Sequence, residues 1–97
     1  MVFDLRRAML KKEEFESARL QNFEFRHRAR TMRLLAQQIG EDPQALAVET
    51  AERSDDAILA RLAEKHGDLT AAYHACRHAA RVELIAEIGD PTPHRLG

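Results

Sequence analysis

Apolar residues recur along this chain at helical spacing, not in the alternation of strands, and four helical stretches can be placed from periodicity and capping signals. From Asp4 to Ile39 there is neither Gly nor Pro, and Gly40 supplies a stop. On a wheel of about 100° per residue, Ala18, Phe25, Ala29, Met32, Ala36 and Ile39 form one apolar stripe of this stretch. Leu20, Phe23 and Leu34, with His27, form a second. Between the stripes Arg19, Arg26, Arg30 and Arg33 make a single basic strip. A helix that is apolar on two sides packs against more than one neighbour, as the central helix of a bundle does.

Asp42-Pro43 is a start signal, with Asp as the cap and Pro at the first helical position, and a short helix to about Arg53 should follow. Ser54-Asp55-Asp56 begins the next helix, which Gly67 closes. It carries Ile58, Leu59 and Leu62 on one face, flanked by Ala63 and His66. Asp68 or Thr70 caps the last helix, Leu69 to Ile88, ended by Gly89 with Pro91 beyond. Leu69, Tyr73, Cys76, Ala80 and Leu84 form its core stripe, widened by Ala72 and Ala79; His74, Arg77, His78 and Arg81 take the other side. The expected fold is all-α: a small four-helix bundle over residues 16–89 and a tail over 90–97, with residues 1–15 as a mobile or loosely docked helical arm. In those first residues Phe3, Leu5, Met9, Leu10 and Phe15 share no clean face, and an isolated helix of this length is marginal in water, near the ~12–15-residue limit.

Composition narrows the functional classes. The chain has 97 residues, 44% hydrophobic and 32% charged, which suits one folded domain with a modest core. The single cysteine, Cys76, excludes an internal disulfide. The start of the chain has no apolar run long enough for a signal peptide, and no stretch approaches the ~18 uncharged residues of a membrane span, so the expected location is cytoplasmic. The net charge of −1 hides an asymmetry: residues 1–39 hold nine Lys/Arg against five Asp/Glu, and the remainder six against eleven. The basic strip is expected either to be a solvated face or to pair with the acid-rich region 41–64. A dedicated nucleic-acid binder would be basic as a domain, which this chain is not.

Candidate chemistry is sparse. His74 and His78 could face one ligand, but Arg77 and Arg81 would repel a cation and no further donors converge on that side. Glu49 and Glu52 lack the Glu-x-x-His partners of a di-metal bundle. There is no Gly-rich phosphate loop, and Cys76 on an apolar face reads as a core residue. No catalytic residue, metal site or cofactor is expected.

The pattern resembles the zeta-type inhibitor subunit of bacterial F-type ATP synthases. Phe3-Asp4-Leu5-Arg6 looks like that family's opening Phe-Asp-x-Arg. The stretch from Phe25 through Arg26, His27, Arg28, Ala29, Arg30, Thr31, Met32 and Arg33 to Leu34-Leu35 is similar to its Phe-Lys-Ala-x-Ala-Arg-Arg-Asn-Lys-Leu-Leu. Ser54-Asp55-Asp56-Ala57-Ile58 with Arg61-Leu62 resembles its Gly-Asp-Glu-Asp-Val loop and the helix after it, and Ala80 to Ile88 resembles its last helix. The likeness covers most of residues 3–88 in order. Gly40 comes about one helical turn sooner than in the family, and the family's Trp in that turn is missing. Membership implies a four-helix bundle whose N-terminal arm wedges into a catalytic interface of the ATPase head and blocks hydrolytic rotation. The resemblance thus makes Phe3, Leu5, Met9, Leu10 and Phe15 the anchors, beside Asp4, with Arg6, Arg7, Lys11 and Lys12 tuning register and on-rate. The alternative is a helical interaction module, such as a homodimer, without ATPase inhibition.

Overall fold

With no breaker before Gly40, helix α1 (Leu5–Ile39) runs unbroken through the whole first stretch. The computed structural model describes the backbone of residues 5–91 and the side chains of residues 14–91, and among these there are four helices and no strand. At the end of α1, Gly40 takes φ +78°, a left-handed value that a side chain would strain. The chain then turns so that Glu41 N–H donates to the Ala36 carbonyl at 2.9 Å, closing the helix in the manner of a Schellman motif.

Helix α2 (Pro43–Glu49) starts where expected. Asp42 Oδ1 accepts from the backbone N–H groups of Gln44 and Ala45, at 3.0 and 3.4 Å. It ends earlier than the expected Arg53. Buried Thr50 donates its hydroxyl to the Ala47 carbonyl at 2.6 Å, and the N–H groups of Thr50, Ala51 and Glu52 each reach back only three residues. A side chain that competes for a helical carbonyl favours this tighter turn over continued α-helix. Helix α3 (Asp55–His66) begins with Ser54 Oγ accepting from Ala57 N–H, and has acids in its first turn and Lys65 and His66 in its last, matching the helix dipole. Helix α4 (Thr70–Ile88) follows Asp68, whose Oδ1 accepts both the N–H and the hydroxyl of Thr70.

The main core is where α1 meets the other three helices. Met32, Leu35 and Ala36 pack with Leu46 of α2, Ile58 and Leu62 of α3, and Tyr73 and Cys76 of α4. The five expected core positions of α4, from Leu69 to Leu84, are all buried. The second face of α1 turns Phe23, His27 and Thr31 inward. His27 donates from Nε2 to the Arg77 carbonyl at 2.8 Å, and the Arg81 guanidinium lies 5.6 Å over the Phe23 ring.

Three residues expected in the α1 stripes are not in the core. Leu20 is 45% exposed, Phe25 is 54% exposed, and Ala18 is exposed as well. For Ala18 and Leu20 the cause is the length of α4; Phe25 stands at the open edge of the α1–α4 contact. Helix α4 ends at Ile88, and Glu87 in its last turn is already level with Arg30, so the turns of α1 before Phe23 find no described neighbour. Every residue in 14–22 is exposed.

A polar chain ties three helices on the far side of this core. Arg28 donates to Asp55 at 2.9 Å and to the Arg53 carbonyl, Asp55 accepts from the Tyr73 hydroxyl, and Arg77 donates to that hydroxyl at 3.3 Å. Burial first, then the Asp55 carboxylate, pushes the Tyr73 phenol above its ordinary value and keeps it a donor.

Truncation of a side chain at the centre of this arrangement should be costly and truncation on the projecting part of α1 should not. Leu35→Ala is expected to lower the unfolding free energy by about 2–5 kcal/mol, and Leu20→Ala to change it by about 0.5 kcal/mol or less. Urea unfolding of the two variants checks this; equal losses would contradict the packing described.

Candidate partner-binding surface

Phe15, Ala18, Asn22, Phe25 and Ala29 are spaced three and four apart, so they share one face of α1. Phe15 is 69% exposed, and the stripe stays exposed through Phe25 before Ala29 dips against the body. There it enters a groove of about 250 Å³ between α1 and α4, floored by Phe25, Ala29 and Leu84. Arg26 and Arg33, seven apart, stand on the same rim of α1.

The far wall of the groove is an ion pair. Arg30 donates Nη1 to Glu87 Oε1 at 2.7 Å and Nη2 to Oε2 at 2.6 Å, and Glu83 lies 3.7 Å from the same guanidinium. The Arg30 hydrogen bonds hold the Glu87 carboxyl below its ordinary value of 4.5. Of the basic strip, Arg30 therefore finds its acids on α4, not in region 41–64. Among the described residues, Arg28, outside the strip, is the arginine of α1 that reaches that region, through Asp55. Arg26 feels Glu87 only through space. Among the described residues, Arg19 and Arg33 form no ion pair.

Of the residues expected to bind a partner, Phe3 and Asp4 lie outside the described residues. Leu5, Arg6, Arg7, Met9 and Leu10 belong to α1 by backbone, and their side chains lie outside the description, as do those of Lys11 and Lys12. Phe15 is the member whose side chain is described, and it faces solvent. The groove was missed by sequence reasoning because Phe25 was assigned to the core. Its available signal was the seven-residue recurrence of Arg19, Arg26 and Arg33 beside Phe25 and Ala29.

The other candidate chemistry resolves simply. His74 and His78 are exposed, and among the described residues no three His, Cys, Asp or Glu side chains gather as a metal site would need. Cys76 is buried against Gln38, and burial pushes its thiol up, away from a reactive thiolate. Among the described residues no helix is long and apolar enough to cross a membrane. Comparison with protein families, with curated proteins and with solved structures gives no match for this chain.

A third charged cluster closes the body at the foot of α1. Glu41 Oε1 accepts from His66 Nε2 at 2.7 Å and from Lys65 Nζ at 3.3 Å, joining the turn after α1 to the end of α3. The His66 hydrogen bond, then that of Lys65, holds the Glu41 carboxyl below its ordinary 4.5. A carboxyl lowered in the folded state contributes stability that is present above the ordinary carboxylate range and is lost as pH falls through the lowered value. Glu41→Gln should therefore make the loss of stability on acidification shallower, without abolishing it, since Asp68 and Glu87 are lowered too. The urea midpoint followed between about pH 6 and 3 reads this; an acid limb identical to that of the unaltered protein would show that the clasp carries no proton linkage.

Proposed function

We propose that this chain is a non-enzymatic regulatory protein of the zeta inhibitor type, which acts in the cytoplasm by binding the catalytic head of a bacterial F-type ATP synthase and blocking ATP hydrolysis. The observation that carries this reading is the run of exposed residues 14–22 on a helix that continues outward from a packed body. A side chain as large as Phe15, left 69% exposed on a helix with no described neighbour at that level, suits a surface that is covered by another molecule. The order of motifs from Phe3 to Ile88 supports the same assignment, and so does the division of labour between a tightly packed body and an outward helical end. In this reading the body, held by Met32, Leu35, Ile58 and Tyr73, is too large to follow the arm into a catalytic interface. Rotation is then obstructed mechanically, and the protein needs no catalytic group, metal or cofactor. Nucleic acid is no partner in this reading, since the chain as a whole carries a net charge of −1 and is not basic as a domain.

A second reading rests on the same exposed residues: Phe15 and Leu20 would be covered by a second copy of the chain, making a homodimeric interaction module without ATPase inhibition. Light scattering separates the two, because a stable dimer built on this helix leaves no free end to insert.

The decisive measurement is ATP hydrolysis by a purified bacterial F-type ATPase titrated with the protein. Saturable inhibition is expected, and deletion of residues 1–15 should abolish it while leaving the circular dichroism of the helical body. Equal inhibition by the truncated form would overturn the role given to the N-terminal arm, and no inhibition by the full chain would overturn the function.

A further inference from the structure

We infer that the groove between α1 and α4 is a second foothold on the partner, and that it takes an acidic amphipathic helix with carboxylates about one heptad apart. This rests on the function proposed above, since the helix would belong to the ATPase head.

The charge pattern selects the occupant. Within the groove the acids of the chain are already committed: Glu87 is held at both oxygens by Arg30, with Glu83 beside it. Arg33 has no acid partner among the described residues, and Arg26 has only the shared field of Glu87. Two guanidiniums are thus left facing outward on one rim. Being seven residues apart, they sit two turns from one another, about 10.5 Å along the axis. An incoming helix with carboxylates at positions i and i+7 presents its charges at the same interval, and the planar guanidinium favours two-point contact with each. A neutral or basic segment would leave both arginines partly desolvated without a counter-charge, which the rim therefore disfavours.

The floor supplies the apolar half of the recognition. Phe25 is half exposed beside Ala29 and Leu84, and the small side chain of Ala29 leaves a depression between the two larger ones. One large aliphatic or aromatic side chain of the incoming helix would sit there and cover the open face of Phe25. The same stripe leads back through Asn22 and Ala18 to Phe15, so groove and projecting helix form one continuous surface. The arm would then set where the protein inserts, and the groove would hold the body against the head once it has done so.

The test uses the full chain and a purified bacterial F-type ATPase. The double variant Arg26→Glu/Arg33→Glu and the single variant Phe25→Ala are titrated for inhibition of ATP hydrolysis at low and high salt. Arg53→Glu, an exposed charge reversal away from the groove, serves as the control. The expected result is a half-inhibitory concentration raised about tenfold or more by the double variant, with the plateau of inhibition preserved and the salt dependence of the unaltered protein reduced. Phe25→Ala should weaken inhibition without changing that salt dependence. Circular dichroism confirms that each variant is folded. If the groove variants inhibit as well as the unaltered protein, or if Arg53→Glu weakens inhibition equally, the groove proposal fails and the inhibitor function stands. If the unaltered protein gives no inhibition, both fail together.

Discussion

Helix α1 is buried on two sides over its second half, and the rest of the fold is arranged around that constraint. One side, Met32, Leu35 and Ala36, is closed by the core residues of α2, α3 and α4. The other, Phe23, His27 and Thr31, is also fully buried, and His27 is joined across to the α4 backbone. Only a narrow strip is left for solvent, and it is arginine-rich because long basic side chains can cover apolar neighbours while keeping their charge in water. None of the three shorter helices could bury its own apolar stripe alone; α2 and α4 pack along this scaffold, and α3 adds Ile58 and Leu62 to the common core.

Polar groups inside the body are mostly matched. Thr31 and Thr50 return their hydroxyls to the carbonyls of His27 and Ala47 in their own turns. Tyr73 is held between Arg77 and Asp55, and Asp55 is held in turn by Arg28. The exception is His27, whose Nδ1 is buried without a hydrogen-bond partner. An orphaned buried acceptor costs about 1–3 kcal/mol. What offsets that cost is local: the Nε2 bond to α4, a tilted contact with the Phe23 ring, and the Arg81 guanidinium covering that ring from outside.

The mismatch in length between α1 and α4 connects fold to function. A bundle whose helices all ended together would hide Phe15, Leu20 and Phe25 or replace them with polar residues. Here α1 runs past the end of α4 and keeps Phe15 and Leu20 where it has no described neighbour, while Phe25 stands half exposed at the edge of the groove against α4. A partner that covers them would turn this exposed surface into binding free energy, and the arginines on the adjoining strip would bias that partner towards acidic surfaces.

The all-α class, the start of every helix after the first, and the core stripe of α4 were legible in the chain itself. They depend on local causes: Asp42, Ser54 and Asp68 satisfy N–H groups within a few residues, Gly40 and Gly67 accept left-handed φ values, and Leu69 to Leu84 keep a strict helical period. Where α2 stops was less legible, because it turns on a buried hydroxyl competing for a carbonyl, and burial is not a local property. The exposure of Phe25 and the acids that serve Arg30 could not be read from the sequence at all. The helical period says that Phe25 and Ala29 share a face, and tertiary packing alone decides that Ala29 is covered by the body while Phe25 stands at its edge. Likewise, Asp/Glu-rich composition in 41–64 made those residues plausible partners for the basic strip, but the antiparallel return of α4 brings Glu83 and Glu87 alongside Arg30 first. Periodicity fixes direction around one helix, and only the placement of a second helix fixes what lies in that direction.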